Sequence, residues 1–174
     1  MRKKQIGVIG SGTASVDSKI YKLAFEIGKE LVDNNFRILC GGLGGVMEAV
    51  CKGAKTSSNF SEGMTVGIVP SLDSDSVNSY VDISIASGIS FARNQIIAAS
   101  ADAIVSISGG SGTLSEISFS WSLNKPIVAL ITSGGWSEKL ANTQIDSTRE
   151  DAIYSAQTPE EVIELLHTVF SSES

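Results

Sequence analysis

An α/β fold with a doubly wound, mainly parallel sheet and helices on both faces is what this sequence predicts, on three observations. Short apolar runs of strand length alternate with longer stretches of helical periodicity from one end of the chain to the other. Clusters of glycine sit where a strand-like run gives way to a helical one. No repeat or linker divides the 174 residues, and their 42% apolar content is that of a globular chain, so residues 1–174 read as one domain with one core. Steady alternation of the two element types implies parallel pairing, because a parallel neighbour is reached only through a crossover.

Taken in order, residues 5–9 read as a buried strand running into Gly10, Ser11 and Gly12. Residues 16–34 read as a helix, because Ile20, Leu23, Ala24, Ile27 and Leu31 share one stripe; Asn34 and Asn35 end it. A second strand, 36–40, leads into Gly41, Gly42, Leu43, Gly44 and Gly45, and a helix follows over 46–55. Residues 56–63 form a polar loop, 64–69 a third strand stopped by Pro70, and 71–79 a Ser- and Asp-rich exposed loop. Residues 80–86 alternate weakly as a short strand, and 90–100 read as a helix. The strand 103–107 runs into Gly109, Gly110, Ser111, Gly112 and Thr113, before a helix marked by Leu114, Ile117, Ser118 and Trp121. A strand over 126–131 ends in a Gly134-Gly135 turn. The last helix is the best specified. Thr158 suits the N-cap, Pro159 the first helical position and Glu161 a capping box, ahead of a stripe of Val162, Leu165, Leu166 and Val169.

Composition narrows the partners. A formal charge of −6 argues against nucleic acid, whose backbone is held by patches of Lys and Arg. No uncharged run approaches the roughly 20 apolar residues that span a bilayer, and no secretory signal is visible, so the expectation is a cytoplasmic protein without a membrane partner. Cys40 and Cys51 lie in apolar surroundings and read as reduced thiols.

In such a sheet ligands sit beyond the carboxyl ends of the strands. Glycine there lets backbone N–H groups approach a phosphate, and the next helix adds unpaired donors and the positive end of its dipole. Three glycine loops at such junctions point to a Rossmann-like site for a phosphorylated small molecule. The first loop has Ser15 where the dinucleotide fingerprint needs its third glycine, and Cys40 ends the second strand in place of an acid, which argues against NAD. No Gly-Lys-Ser/Thr of a P-loop is present either.

The run Ser108-Gly109-Gly110-Ser111-Gly112-Thr113-Leu114-Ser115-Glu116 resembles the PGGxGTxxE motif of the Lonely Guy (LOG) phosphoribohydrolases, long mislabelled lysine decarboxylases. Arg93-Asn94 stands where that family has Arg-Lys. Length, Arg-Asn and Gly-Thr-Leu-Ser-Glu make the chain still more similar to the molybdenum cofactor carrier proteins, a non-enzymatic branch of the same superfamily. The resemblance implies a ligand site of Gly10, Ser11, Gly12, Gly42, Gly44, Gly45, Arg93, Asn94, Gly109, Gly110, Ser111, Gly112, Thr113 and Glu116. It implies a bound nucleotide or molybdenum cofactor as ligand, no metal ligands and no cofactor needed for hydrolysis. It also implies a homo-oligomer, dimer or tetramer.

Two versions of the function stay open: a carrier, or a hydrolase cleaving the N-glycosidic bond of a nucleoside 5′-monophosphate with Arg93 and Glu116. Physical chemistry gives both residues a part. A carboxylate one turn beyond the phosphate loop stabilises the positive charge that develops on a sugar, and Arg93 suits either a bidentate clamp on the phosphate or the orienting of Glu116. Ser108, Asn94 and Ser115 depart from the hydrolase pattern, replacing a proline, a lysine and an acid. Of the remaining residues, His167 falls off its helix's apolar stripe and reads as solvated. Trp121 reads as a core or interface anchor, and Trp136 as such an anchor or the cover of a base. Lys125 suits a helix carboxyl end, and Glu48 an exposed surface.

Overall fold

The computed structural model describes residues 2–12 and 16–171. Seven strands form one sheet in the order β4-β3-β2-β1-β5-β6-β7, and every neighbouring pair is parallel. The strands are β1 (Gln5–Gly10), β2 (Arg37–Cys40), β3 (Thr65–Val69), β4 (Ile83–Ala86), β5 (Ala103–Ile107), β6 (Ile127–Leu130) and β7 (Tyr154–Ala156). The helices are α1 (Ser18–Asp33), α2 (Val46–Ala54), α3 (Arg93–Ser100), α4 (Ser111–Ser122), α5 (Gly135–Leu140) and α6 (Pro159–Ser171). The chain winds outward from β1 through β4, then returns to β1's other side and winds outward again through β7. The order therefore reverses between β1 and β5, and the loops leaving these two strands diverge to opposite faces, opening a crevice at their carboxyl ends.

Two apolar clusters fill the two faces. One joins α1, α2 and α6 to alternate residues of the inner strands, among them Ile6, Val8, Ile38, Val105 and Val128. The other sets Ile97, Ile117 and Trp121 of α3 and α4 against Ile9, Leu39, Ile68 and Ile104. The period-two alternation of β1, with Val8 on one face and Ile9 on the other, is what a strand buried on both sides requires.

Several elements differ from the sequence reading. Helix α1 begins at Ser18 rather than at 16, because the Asp17 carboxylate caps it by accepting from the Lys19 N–H at 2.8 Å. The helix over 90–100 is divided: Ser90–Ala92 form a 3₁₀ turn, with Ser90 at φ +52°, and only then does α3 begin. The weak strand over 80–86 contracts to Ile83–Ala86. Gly134 and Gly135 do not merely turn the chain; α5 starts there. Strand β7 carries no pattern because it is three residues long, and only pairing with β6 makes it a strand. At α6 the Thr158 hydroxyl accepts from the Glu161 N–H at 3.3 Å, while the Glu161 carboxylate reaches past the cap to the Gln157 N–H at 2.7 Å.

Charge is unevenly placed. Helices α3 and α4 pack together and hold two charged side chains, Arg93 and Glu116, both buried; their exposed positions, including Gln95, Ile96, Ala99, Ser118 and Ser122, are uncharged.

Helices α1 and α2 touch backbone to backbone. A Cβ at Gly28 would overlap the Val50 carbonyl, and one at Gly53 would overlap the Phe25 carbonyl. Such overlap forces the helices apart, and overpacking of this kind costs about 1–3 kcal/mol. Gly53→Ala should therefore lower the unfolding free energy by about 2 kcal/mol in urea titrations, although alanine is the better helix former. An unchanged or raised urea midpoint would show that the two helices are free to separate.

Candidate functional site

A cleft of about 260 Å³ opens at the carboxyl ends of β1 and β5, lined by Gly10, Ser11, Gly12, Arg93, Asn94, Gly110, Ser111, Gly112, Thr113 and Glu116, with Leu43, Met47 and Phe91. Ten residues named from the sequence thus meet in one place. Gly42, Gly44, Gly45 and Gly109 do not line it; they shape it from behind. Gly42 and Gly45 hold φ values of +72° and +64° in the loop that delivers α2, and Gly109 holds +96°, where any side chain would overlap the Thr113 hydroxyl. Gly110 is different: a Cβ there meets nothing within 4 Å. Thr13 and Ser15, which follow Gly12 in the sequence of the first loop, lie outside the described residues.

The loops are tied to one another. The Val46 N–H donates to the Ser11 carbonyl at 3.0 Å, joining the first loop to the second. Asn78 holds the second loop, its backbone N–H donating to the Gly42 carbonyl at 2.8 Å and its side-chain amide to the Leu43 carbonyl at 2.9 Å. The third loop is held from below by α5. The Ser108 carbonyl accepts from the Ser137 N–H at 3.2 Å and its hydroxyl at 2.8 Å, and the Gly109 carbonyl accepts from the Trp136 N–H at 3.1 Å. The Ser133 hydroxyl accepts from the Ser108 N–H at 2.7 Å, which keeps Ser108 in its left-handed conformation at φ +57°.

Helix α4 then begins inside the cleft with no side chain capping it and no acid in its first turn. Its first N–H groups have no partner within the helix, and its dipole places a partial positive charge there. Arg93 opens α3 from the other side. Its guanidinium is 7% exposed, gives one hydrogen bond to the Asn94 side-chain oxygen at 2.6 Å, and leaves Nε without a partner among the described residues. Burial pulls the Arg93 pKa below its ordinary value, opposed by the nearby charges of Glu116 and Cys40.

Glu116 is also 7% exposed and forms no ion pair with Arg93. Burial pushes its pKa up to about 7, against the lowering effect of Arg93. A buried cation with a spare donor and a buried carboxyl near its midpoint at neutral pH thus share one wall. Asn94 and Ser115, two of the departures from the hydrolase pattern, are partners: the Asn94 amide donates to the Ser115 hydroxyl at 2.8 Å and to the Gly112 carbonyl at 3.3 Å. This neutral pair clamps α3 to the first turn of α4.

Leu43, Met47 and Phe91 line the cleft with no sequence signal that announces it. Leu43 lies among glycines, and Met47 sits on a stripe that reads as core; Phe91 had no pattern to mark it. The other residues weighed stand elsewhere. Trp136 is off the cleft, its ring beneath Lys139 at 4.8 Å. Trp121 is buried and donates to Asp146 at 2.9 Å. Lys125 donates to the Ala99 carbonyl at 3.2 Å, at the carboxyl end of α3. Glu48 is half-buried and accepts from the Tyr21 hydroxyl at 3.2 Å. His167 is exposed, with a ring nitrogen 3.3 Å from the Asn34 side-chain oxygen. No group of metal-ligating side chains is found among the described residues, and no helix there is long and apolar enough to cross a membrane.

Comparison with known proteins agrees with the fold. Residues 3–163 match the SLOG cluster4 family. An uncharacterized protein of Archaeoglobus fulgidus is 41% identical over 130 residues, 75% of this chain and 82% of its own. The molybdenum cofactor binding protein of Rippkaea orientalis superposes with a TM-score of 0.83 at 32% identity, covering 98% of this chain and 99% of its own. The molybdenum cofactor carrier protein of Chlamydomonas reinhardtii gives 0.81 at 29% identity, over 97% and 99%.

The buried carboxyl has a signature in stability. Between pH 4.5, its ordinary pKa, and about 7, the folded protein keeps a Glu116 proton that the unfolded chain has released. Stability therefore falls as pH rises through that window, by about 3 kcal/mol, and this slope vanishes above it. Glu116→Gln removes the effect, so its stability relative to wild type should climb by about that amount between pH 5 and pH 8. Parallel stability curves for the two proteins in urea would show a solvated carboxylate instead.

Proposed function

This chain belongs to the SLOG cluster4 family, and from that premise we propose that it binds a phosphorylated, nucleotide-like small molecule and carries it without chemical change. The ligand is a nucleoside monophosphate or a phosphorylated pterin of the molybdenum-cofactor type. The observation that carries this reading is the uncapped amino end of α4, facing the cleft beside a buried arginine with an unpartnered Nε. A phosphate supplies what both lack: oxygens for the N–H groups of the first turn and a counter-charge for Arg93. The two molybdenum cofactor proteins that superpose over nearly their whole length support the carrier reading. So does the neutral Asn94–Ser115 pair, which stands where the hydrolase pattern has a lysine and an acid.

One observation favours hydrolysis as a second reading. A carboxyl titrating near 7, one turn from the phosphate loop, is poised either to stabilise an oxocarbenium-like sugar or to protonate a departing base. Under that reading Glu116→Gln abolishes base release and preserves binding, because the charge it answers exists only in the transition state.

The assembly is a homo-oligomer packed through the uncharged outer faces of α3 and α4, which a chain of net charge −6 can bring together without opposing like charges. The two buried free thiols accord with a cytoplasmic setting.

Nucleoside monophosphates should raise Tm by several degrees at a hundredfold excess over Kd, a linkage of about 2.7 kcal/mol, and the matching nucleosides much less. Gly110→Val should abolish the shift with the fold intact by circular dichroism, since its side chain enters open space in the cleft. Equal shifts with nucleoside and monophosphate would reject the phosphate site. Chromatography of free base in the same incubations separates the readings: binding without base supports the carrier, and base release supports the hydrolase. For the assembly, light scattering should find an oligomer that Ile96→Glu converts to monomer; a monomeric wild type at all concentrations would reject that interface.

A further inference from the structure

The cleft is divided chemically. Gly110 to Thr113, Ser11, Arg93, Asn94 and Glu116 make its polar part, while among the described residues its large apolar lining comes from Leu43, Met47 and Phe91. Met47 is 6% exposed, but Phe91 is 78% exposed, and of the exposed large apolar side chains described it alone lines the cleft. A phenyl ring left in water at the mouth of a phosphate-type pocket has one face free for a planar partner.

The backbone that carries that ring is held in place. Phe91 is the middle residue of the Ser90–Ala92 turn. The Ser90 N–H donates to the Pro70 carbonyl at 3.0 Å, and the Ala92 N–H to the Ile89 carbonyl at 3.1 Å. The Arg93 N–H bonds back to the carbonyls of Phe91 and Ser90, so one short turn carries both the ring and the cation. A ligand whose phosphate reaches Arg93 and the amino end of α4 presents whatever lies beyond its sugar to Phe91.

We propose that Phe91 is the specificity-determining residue of the cleft: its ring stacks on the planar heteroaromatic part of the phosphorylated ligand, with Leu43 and Met47 as the remaining apolar lining. This rests on the phosphate-binding reading above and adds the residue that recognises the other end of the ligand. A sugar phosphate without a ring fills only half of the site.

Calorimetric titration of wild type, Phe91→Ala and Phe91→Trp with ribose 5-phosphate, AMP, GMP and riboflavin 5′-phosphate tests it. In wild type at least one ring-bearing probe binds tenfold or more tighter than ribose 5-phosphate. Stacking on an aromatic side chain accounts for a roughly 10- to 100-fold advantage, and Phe91→Ala should erase it while leaving ribose 5-phosphate affinity unchanged. Phe91→Trp should keep the advantage, and its added indole emission should be quenched by the ring-bearing probe but not by ribose 5-phosphate. Three results overturn the proposal: a ring preference that survives Phe91→Ala, an equal loss of affinity for both kinds of probe, or a change of oligomeric state by light scattering with the preference intact. Wild type that binds ribose 5-phosphate as tightly as the ring-bearing probes rejects the ring subsite alone. Wild type that binds none of the probes rejects the phosphate site and this proposal with it.

Discussion

The cleft exists because two carbonyls are turned away from it. Ser108 and Gly109 follow strand β5 with their oxygens committed to the amino end of α5. With the acceptors of those two peptides occupied below, the chain rises into α4 with donors foremost, which is the polarity an anion requires. Gly109 at φ +96° and Ser108 at φ +57° are the backbone conditions for that reversal. One helix's amino end is thus used to orient a loop, so that the next helix's amino end is left for a ligand. The placement of Arg93 follows from the same constraint, since Asn94 grips the Gly112 carbonyl and fixes α3 against the turn that the loop creates.

How much of this the sequence discloses depends on whether a residue's role is local. The strand at residues 103–107 and the cap of α6 are local matters, and their patterns mark them. Helix α5 and strand β7 are not: α5 is six residues long and starts at glycine, and β7 is three residues whose only reason to extend is the neighbouring edge of β6. The glycines are legible as a group but not singly. Gly42, Gly45 and Gly109 serve backbone angles and Gly110 borders open space, yet all four look alike in the sequence. Leu43 and Met47 sit on the cleft because the second loop folds back over the first, a contact between residues 11 and 46 that no periodicity records. Phe91 is hidden for another reason, since a continuous helix over 90–100 makes it one more residue of a regular first turn, whereas the separate Ser90–Ala92 turn sets it at the rim of the cleft.

Arg93 and Glu116 illustrate a balance that neither residue sets alone. Each is buried enough to be penalised for its charge, and each moderates the other without a direct ion pair. A buried arginine with a closed ion pair would be a structural strut, and a buried glutamate with three donors would be a fixed anion. Here both are left with capacity, which makes the wall responsive to what enters. Asn94 and Ser115 do the opposite: they are saturated with one another and with the Gly112 carbonyl, and they supply rigidity with no charge.

The glycine contacts between α1 and α2 reach further than the packing they relieve. A helix resting on another through bare backbone has no side chains between the two that can yield by changing rotamer, so α2 moves with α1 or not at all. Its first residue, Val46, holds the Ser11 carbonyl, and with Leu43 and Met47 it makes one side of the cleft a fixed jaw. The facing side is the Ser90–Ala92 turn, a few residues between the loop at Pro70 and α3. That turn is itself tied to the Pro70 carbonyl, so accommodation of ligands of different breadth falls to the rotamer of the exposed Phe91 ring rather than to either backbone, and the molecule grips as a vice does, with both jaws set and one loose shim between them.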